Sequence, residues 1–271
     1  MAKNEVAEIK KTNTALAGAD DFAGLAGEGF GETSASDFVI PRLGLLGELS
    51  PQLKKSNAKY LPTAEVGDIV DSALGEILAK GYAGGNVHLL PVKRVKEVLE
   101  WKPRTAGGGL VSREPLVGNF EDLAKRRGAK LNEEKYEWKL ANGNELIETW
   151  QLYCLDLSRD GMPVFVPFKK SNIKVIKPWF TKRANTKFPG TQNALPLLFR
   201  TIYLGAFEDS GSNTWSNWTI TDGASLPEMG DYQDIKLAAE NFLDILKSGN
   251  YTADIDEEVA GSHDDSDDTP F

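Results

Sequence analysis

Histidine and cysteine are nearly missing from this chain: its 271 residues include two of the first and one of the second. A lone thiol, Cys154, excludes an internal disulfide and fits a reducing compartment. Its neighbours Leu152, Tyr153, Leu155 and Leu157 place it in an apolar strand, where a thiol packs rather than reacts. With only His88 and His263, a tetrahedral zinc site would need carboxylates, and a Ser-His or Cys-His dyad has little to draw on. No catalytic residue, metal or cofactor is therefore assigned. No apolar run approaches the roughly 18 residues that cross a bilayer. Met1 to Asp20 has lysines but no continuous apolar stretch of a secretory signal. The expected location is the cytoplasm, with no membrane partner.

A second absence is local. Between Gly161 and Phe207 there is no aspartate or glutamate, while eight bases occur: Lys169, Lys170, Lys174, Lys177, Lys182, Arg183, Lys187 and Arg200. The whole chain has a formal net charge of −9. That negative charge sits at the ends. Ala253 to Phe271 holds eight acids and no lysine or arginine, and Met1 to Asp37 holds seven acids against three bases, which leaves the stretch between them at +3. An acidic pI thus describes the termini and not the body.

Three segments follow from this. Residues 1–37, rich in glycine, alanine and acids without an apolar period, are expected to be disordered. Residues 38–252 form the body, and residues 253–271 an acidic, disordered tail. Within the body, Val66 to Val70, Asn86 to Val92, Arg94 to Trp101, Pro163 to Phe168, Leu197 to Phe207 and Asn213 to Thr221 read as strands. Asn142-Gly143 marks a hairpin between Lys135–Leu140 and Glu145–Leu157. The second arm is apolar on both faces, as a central strand is. Helices are predicted at Asn119 to Arg127, capped by Asn119 and ended by Gly128, and at Ser171 to Thr186, with Pro178 as a kink or break. A third runs from Asp231 to Lys247, where Tyr232, Ile235, Ala239, Phe242, Leu243 and Leu246 make an apolar stripe. Many short strands and few helices give an α+β, mainly β class, with an OB-fold-like barrel carrying helical additions as the expected body.

The acid-free window interleaves cations with rings: Phe168 before Lys169-Lys170, Lys174 and Lys177 before Trp179-Phe180, then Lys182-Arg183 and Lys187. A single nucleic-acid strand offers a line of phosphates and the open faces of bases, so a general binder needs cations along its path and rings beside it. On a helix Lys170, Lys174 and Lys177 share one face and repel each other unless a polyanion lies across them. A second patch, Trp101, Lys102 and Arg104 with Gly107 to Gly109 and Arg113, supplies a ring, cations and a flexible loop. Trp215 and Trp218 add rings in a strand. The expected DNA-binding set is therefore Trp101, Lys102, Arg104, Arg113, Lys169, Lys170, Lys174, Lys177, Trp179, Phe180, Lys182, Arg183, Lys187, Arg200, Trp215 and Trp218.

The chain ends Asp264-Asp265-Ser266-Asp267-Asp268-Thr269-Pro270-Phe271. This acidic run closing in Pro-Phe resembles the tails of bacterial and phage single-stranded-DNA-binding proteins, with Thr269 where an apolar residue is usual. Ile40-Pro41, Leu43, Leu45, Ser50-Pro51-Gln52, Tyr60, Gly67-Asp68, Pro91-Val92, Glu100-Trp101 and Gly107 to Gly109 are similar to phage-type members of that group. The resemblance implies an OB-fold body, sequence-independent binding of single-stranded DNA in replication, recombination or repair, and no catalysis. It also implies that Asp264, Asp265, Asp267, Asp268, Pro270 and Phe271 contact replication proteins such as a polymerase, helicase, primase or nuclease, in a host cytoplasm if the chain is phage-encoded. Two rivals stand beside it. One is a magnesium-dependent nuclease built on Glu137, Lys139, Asp122 and Glu145 or Glu148. The other is a protein that anneals single strands during recombination.

Overall fold

The computed structural model describes residues 39–134, 136–210, 214–249 and 251–253. The expected disordered segment 1–37 and tail residues 254–271 lie outside the described residues. In chain order the elements are β1 (Val39–Ile40), β2 (Leu43–Leu45), β3 (Ile69–Asp71), β4 (Glu76–Ala79), β5 (Asn86–Trp101), β6 (Leu110–Pro115) and α1 (Phe120–Arg126). Then come β7 (Lys130–Asn132), β8 (Glu137–Lys139), β9 (Glu145–Asp156), β10 (Met162–Lys169), α2 (Ser171–Asn185), β11 (Arg200–Ser210), β12 (Thr214–Ser225), α3 (Tyr232–Ser248) and β13 (Thr252–Ala253).

Two long strands make the spine. β5 and β9 run antiparallel over nearly their full lengths, from Leu89 opposite Asp156 to Trp101 opposite Glu145. Each carries two shorter strands on its outer edge. β11 and β6 share the edge of β5, and β10 and β8 share that of β9. With β12 beyond β11 and β7 beyond β8, this is an eight-stranded sheet. Leu43 to Leu45, Ile69 to Asp71 and Glu76 to Ala79 form a separate three-stranded sheet, and β1 pairs in parallel with β13.

The large sheet is open, which corrects the expected OB-type barrel. A barrel requires its terminal strands to pair. Here β12 and β7 are the two ends of the strand order, and among the described residues no ladder joins them. The physical reason is in β9. A strand of a solvent-facing antiparallel barrel alternates apolar inside and polar outside, whereas β9 is apolar on both faces and helices cover both. Trp150, Leu152 and Cys154 pack with Ile173, Ile176 and Trp179 of α2. Tyr153 and Leu155, pointing the other way, pack with Ala239, Phe242 and Leu246 of α3. At the far end of the first face, Leu146 and Val98 pack against Ala124 of α1. The result is a mixed α/β fold. The groove that a barrel would have presented to a DNA strand is absent with it, and the topology lends DNA binding no support.

Local sequence signals hold where geometry is local. Gly143, at φ 85°, closes the β8–β9 turn, and the Leu140 amide donates to the Asn144 carbonyl at 2.8 Å. Asn119 Oδ1 accepts from the amides of Glu121 (2.8 Å) and Asp122 (3.3 Å), capping α1. α2 departs from expectation in two ways. Pro178 lies inside a continuous helix, and its N-cap is Lys170, at φ 44°, in place of Ser171. The two strands expected at Asn86–Val92 and Arg94–Trp101 are one, β5, with a register shift between Pro91 and Lys93.

Candidate nucleic-acid interface

Alternation along β9 puts Leu146, Glu148, Trp150, Leu152 and Cys154 on one face. α1 covers the Leu146 end and α2 the Cys154 end. Between them the partner strand presents Lys96 opposite Trp150 and Arg94 opposite Leu152. α2 adds Lys177 and Phe180 from above. The Arg94 guanidinium carbon lies 4.9 Å from the Trp150 ring centre and 4.5 Å from that of Phe180. Lys96 Nζ lies 5.0 Å and Lys177 Nζ 5.8 Å from the Trp150 ring. All four distances fall within the roughly 6 Å over which a ring quadrupole attracts a cation. Phe180 meets Trp150 edge-on, centres 5.8 Å apart. One carboxylate enters the group: Glu148 accepts from Trp150 Nε1 at 2.7 Å and lies 3.6 Å from Lys96. Arg94 and Lys177 have no acidic partner among the described residues. Withdrawal from water, with no carboxylate to offset it, holds the Arg94 pKa below its ordinary value.

The structure distributes the other expected residues more widely. Lys174 and Lys102 are exposed, and Lys187 reaches the Ala184 carbonyl at 3.3 Å. The Arg104 side chain lies outside the described residues. Trp179 and Trp218 are core residues at 6 % and 2 % exposure, and Trp101 is buried at 9 %. Trp215 is half-buried and, three residues from Trp218, faces the opposite side of β12. The acid-free window acquires acids in space. Asp222 of β12 binds Lys182 at 2.9 Å and Arg183 at 3.0 Å, and accepts from Trp179 Nε1 at 2.9 Å. Arg200, half-buried, lies near enough to oppose the Arg183 charge. Arg113 is held by Glu97 at 2.6 Å and by the Tyr153 hydroxyl at 3.3 Å.

The chain matches the Pam3 phage gp34-like protein family over residues 10–252. It belongs to that family. It is thus a phage-associated protein, and no curated protein or solved structure matches it. No helix among its described residues is long and apolar enough to cross a membrane.

In this gp34-like chain the carboxylates of the nuclease reading divide between two faces. Glu137 and Glu145 share Lys170, whose Nζ lies 3.7 Å and 2.8 Å from them, and Lys139 lies 3.0 Å from Glu137. Glu148 turns to the other face, towards Trp150. Among the described residues no three acidic, histidine or cysteine side chains form a metal-holding group. Beside Lys170, Lys169 lies over the Trp101 ring at 5.4 Å. Burial first, then the charges of Arg42 and Lys170, push its ammonium down to about 7.

Arg94, Lys96 and Trp150 went unnoticed as site residues in the sequence. The available signal was a pair of cations at alternate positions of a strand. Only the β5–β9 register, set by long-range pairing, reveals the indole opposite them.

Proposed function

We propose that this phage protein binds single-stranded DNA without base preference, as a binding protein and not as an enzyme. The observation that supports it is the gathering of Arg94, Lys96 and Lys177 on Trp150 and Phe180, two of the three cations lacking an acidic partner among the described residues. Exposed Lys174, one turn before Lys177 on α2, extends the same positive edge. Phosphates are the ligand that such a group lacks. Contact with replication proteins we assign to the acidic run Asp264, Asp265, Asp267 and Asp268 with Pro270 and Phe271, on charge complementarity; these residues lie outside the described residues.

The test is a fluorescence anisotropy titration of the full chain with labelled single-stranded and duplex DNA across a salt series. Tight binding of the single strand and weaker binding of the duplex are expected. Three phosphate contacts give a slope of log K against log salt of roughly −2 for a single strand. Absence of binding at low salt rejects the proposal. Adding Mg²⁺ should leave the strand intact; cleavage abolished in Glu137→Ala would favour the nuclease instead.

A further inference from the structure

We infer that the cluster grips the phosphodiester backbone through Arg94 as a two-pronged fork, and that Trp150 and Phe180 serve as rails for that fork and not as platforms for bases. This deepens the DNA-binding reading and rests on it. The ring faces are already taken. Trp150 is 6 % exposed and has three cations over it, Arg94, Lys96 and Lys177. Phe180 has Arg94 at 4.5 Å on its face, while Trp150 and Trp179 meet it edge-on with centres at 5.8 and 4.9 Å. A base would have to displace a cation to stack there.

Arg94 itself is set the other way. Its residue is exposed, and its guanidinium makes no hydrogen bond or ion pair with the described residues. A guanidinium is planar, with its N–H donors in the plane. The Arg94 guanidinium carbon sits 4.9 and 4.5 Å from the centres of two rings whose planes stand at 66° to each other. Both rings thus hold the cation in the corner between them while its N–H donors stay open to an incoming ligand. Two parallel N–H donors match two phosphate oxygens. A lysine in the same place would keep the charge and lose the fork. Lys96 and Lys177, held over the same indole, flank the fork with point charges suited to neighbouring phosphates. A strand held this way turns its bases to solvent, which accounts for indifference to sequence without any stacking. Preference over duplex then rests on the single strand's freedom to bend its backbone around the three cations, which a stiff duplex lacks.

The experiment compares the full chain's affinity for a labelled thymidine oligonucleotide and for an abasic deoxyribose-phosphate strand of the same length. Equal affinities are expected. An abasic strand weakened by roughly ten-fold or more, the loss a single stacked base brings, overturns the inference and leaves DNA binding standing. Failure of both strands to bind overturns the DNA-binding reading and the inference together. The Arg94→Lys variant supplies a second arm at an exposed position. Both strands should bind about ten-fold more weakly, the loss of one charge-assisted hydrogen bond, with the salt slope unchanged. Arg94→Ala should in addition make the slope shallower by about 0.7. Arg94→Lys binding like the native chain would show that charge alone operates there and would sink the fork.

Discussion

Asp222 carries much of the answer to the acid-free window. Burial works against its ionisation, but hydrogen bonds from Lys182 and Trp179, together with the charge of Arg183, outweigh burial and hold its carboxyl below the ordinary range. Arg183 is 8 % exposed. Removing its counter-charge leaves a buried cation alone, which costs about 3–5 kcal/mol. Asp222→Ala should lose stability of that order in urea denaturation, and an unchanged midpoint would show that the pair contributes nothing. The sign with pH follows from the depressed carboxyl. Its contribution is present above the ordinary carboxylate pKa of about 4 and is lost as pH falls through the lower folded value. Lys169 has the opposite sense. Its folded ammonium titrates at about 7, below the ordinary 10.5, so the unfolded chain binds more protons between those values. Stability should therefore rise from pH 7 towards pH 10 in the native chain, and that rise should flatten in Lys169→Met when chemical denaturation is repeated across the range. None of this was legible in the sequence. Asp222 lies 39 positions beyond Arg183, and the acid-free window is a property of the chain in one dimension only.

Single elements were read more reliably, because their causes are local. The α1 helix was legible at both ends: Asn119 has a short side chain to meet orphan amides, and Gly128 takes φ 77° without a Cβ clash. Asn119→Ala should cost about 1 kcal/mol in thermal or urea unfolding and Asn119→Gly only a few tenths; equal losses would mean that the cap's hydrogen bonds are not what matters. The α3 stripe was legible for the same reason, and Ala239, Phe242 and Leu246 are indeed its buried residues. At α2 the local signals mislead. Ser171 has the chemistry of a cap, yet the chain reaches the helix through Lys170 at φ 44°, with Lys170 drawn to Glu137 and Glu145 on neighbouring strands. Pro178 reads as a kink or break, and the break does not occur: with Ile173, Ile176 and Trp179 packed in the core, the helix continues past it. In both places tertiary contacts outweigh a propensity of a few kcal/mol at most.

At the scale of the whole molecule, closure of a sheet depends on which edges find each other, and strand patterns alone do not carry that information. Both apolar faces of β9 were visible beforehand; their consequence, helices on either side of an open sheet, needed the positions of α2 and α3. The candidate site depends on the same long-range order, since β5 brings Arg94 and Lys96, β9 brings Trp150, and α2 brings Lys177 and Phe180. Charge distribution, by contrast, is additive and survives folding. The body keeps its positive excess, and the residues from Ala253 onward keep eight acids without a base. On the DNA-binding proposal, acids carried on the same chain would compete with DNA for cations such as Arg94 and Lys177. Deleting residues 264–271, which removes four aspartates, should therefore tighten single-strand binding at low salt. The gain should shrink as salt rises and the screening length falls from about 30 Å at 0.01 M to about 8 Å at 0.15 M. Anisotropy titrations of the full and shortened chains at both salts measure the difference directly. A gain independent of salt would point to a steric block, and identical affinities at low salt would show that the acidic run does not reach the DNA site.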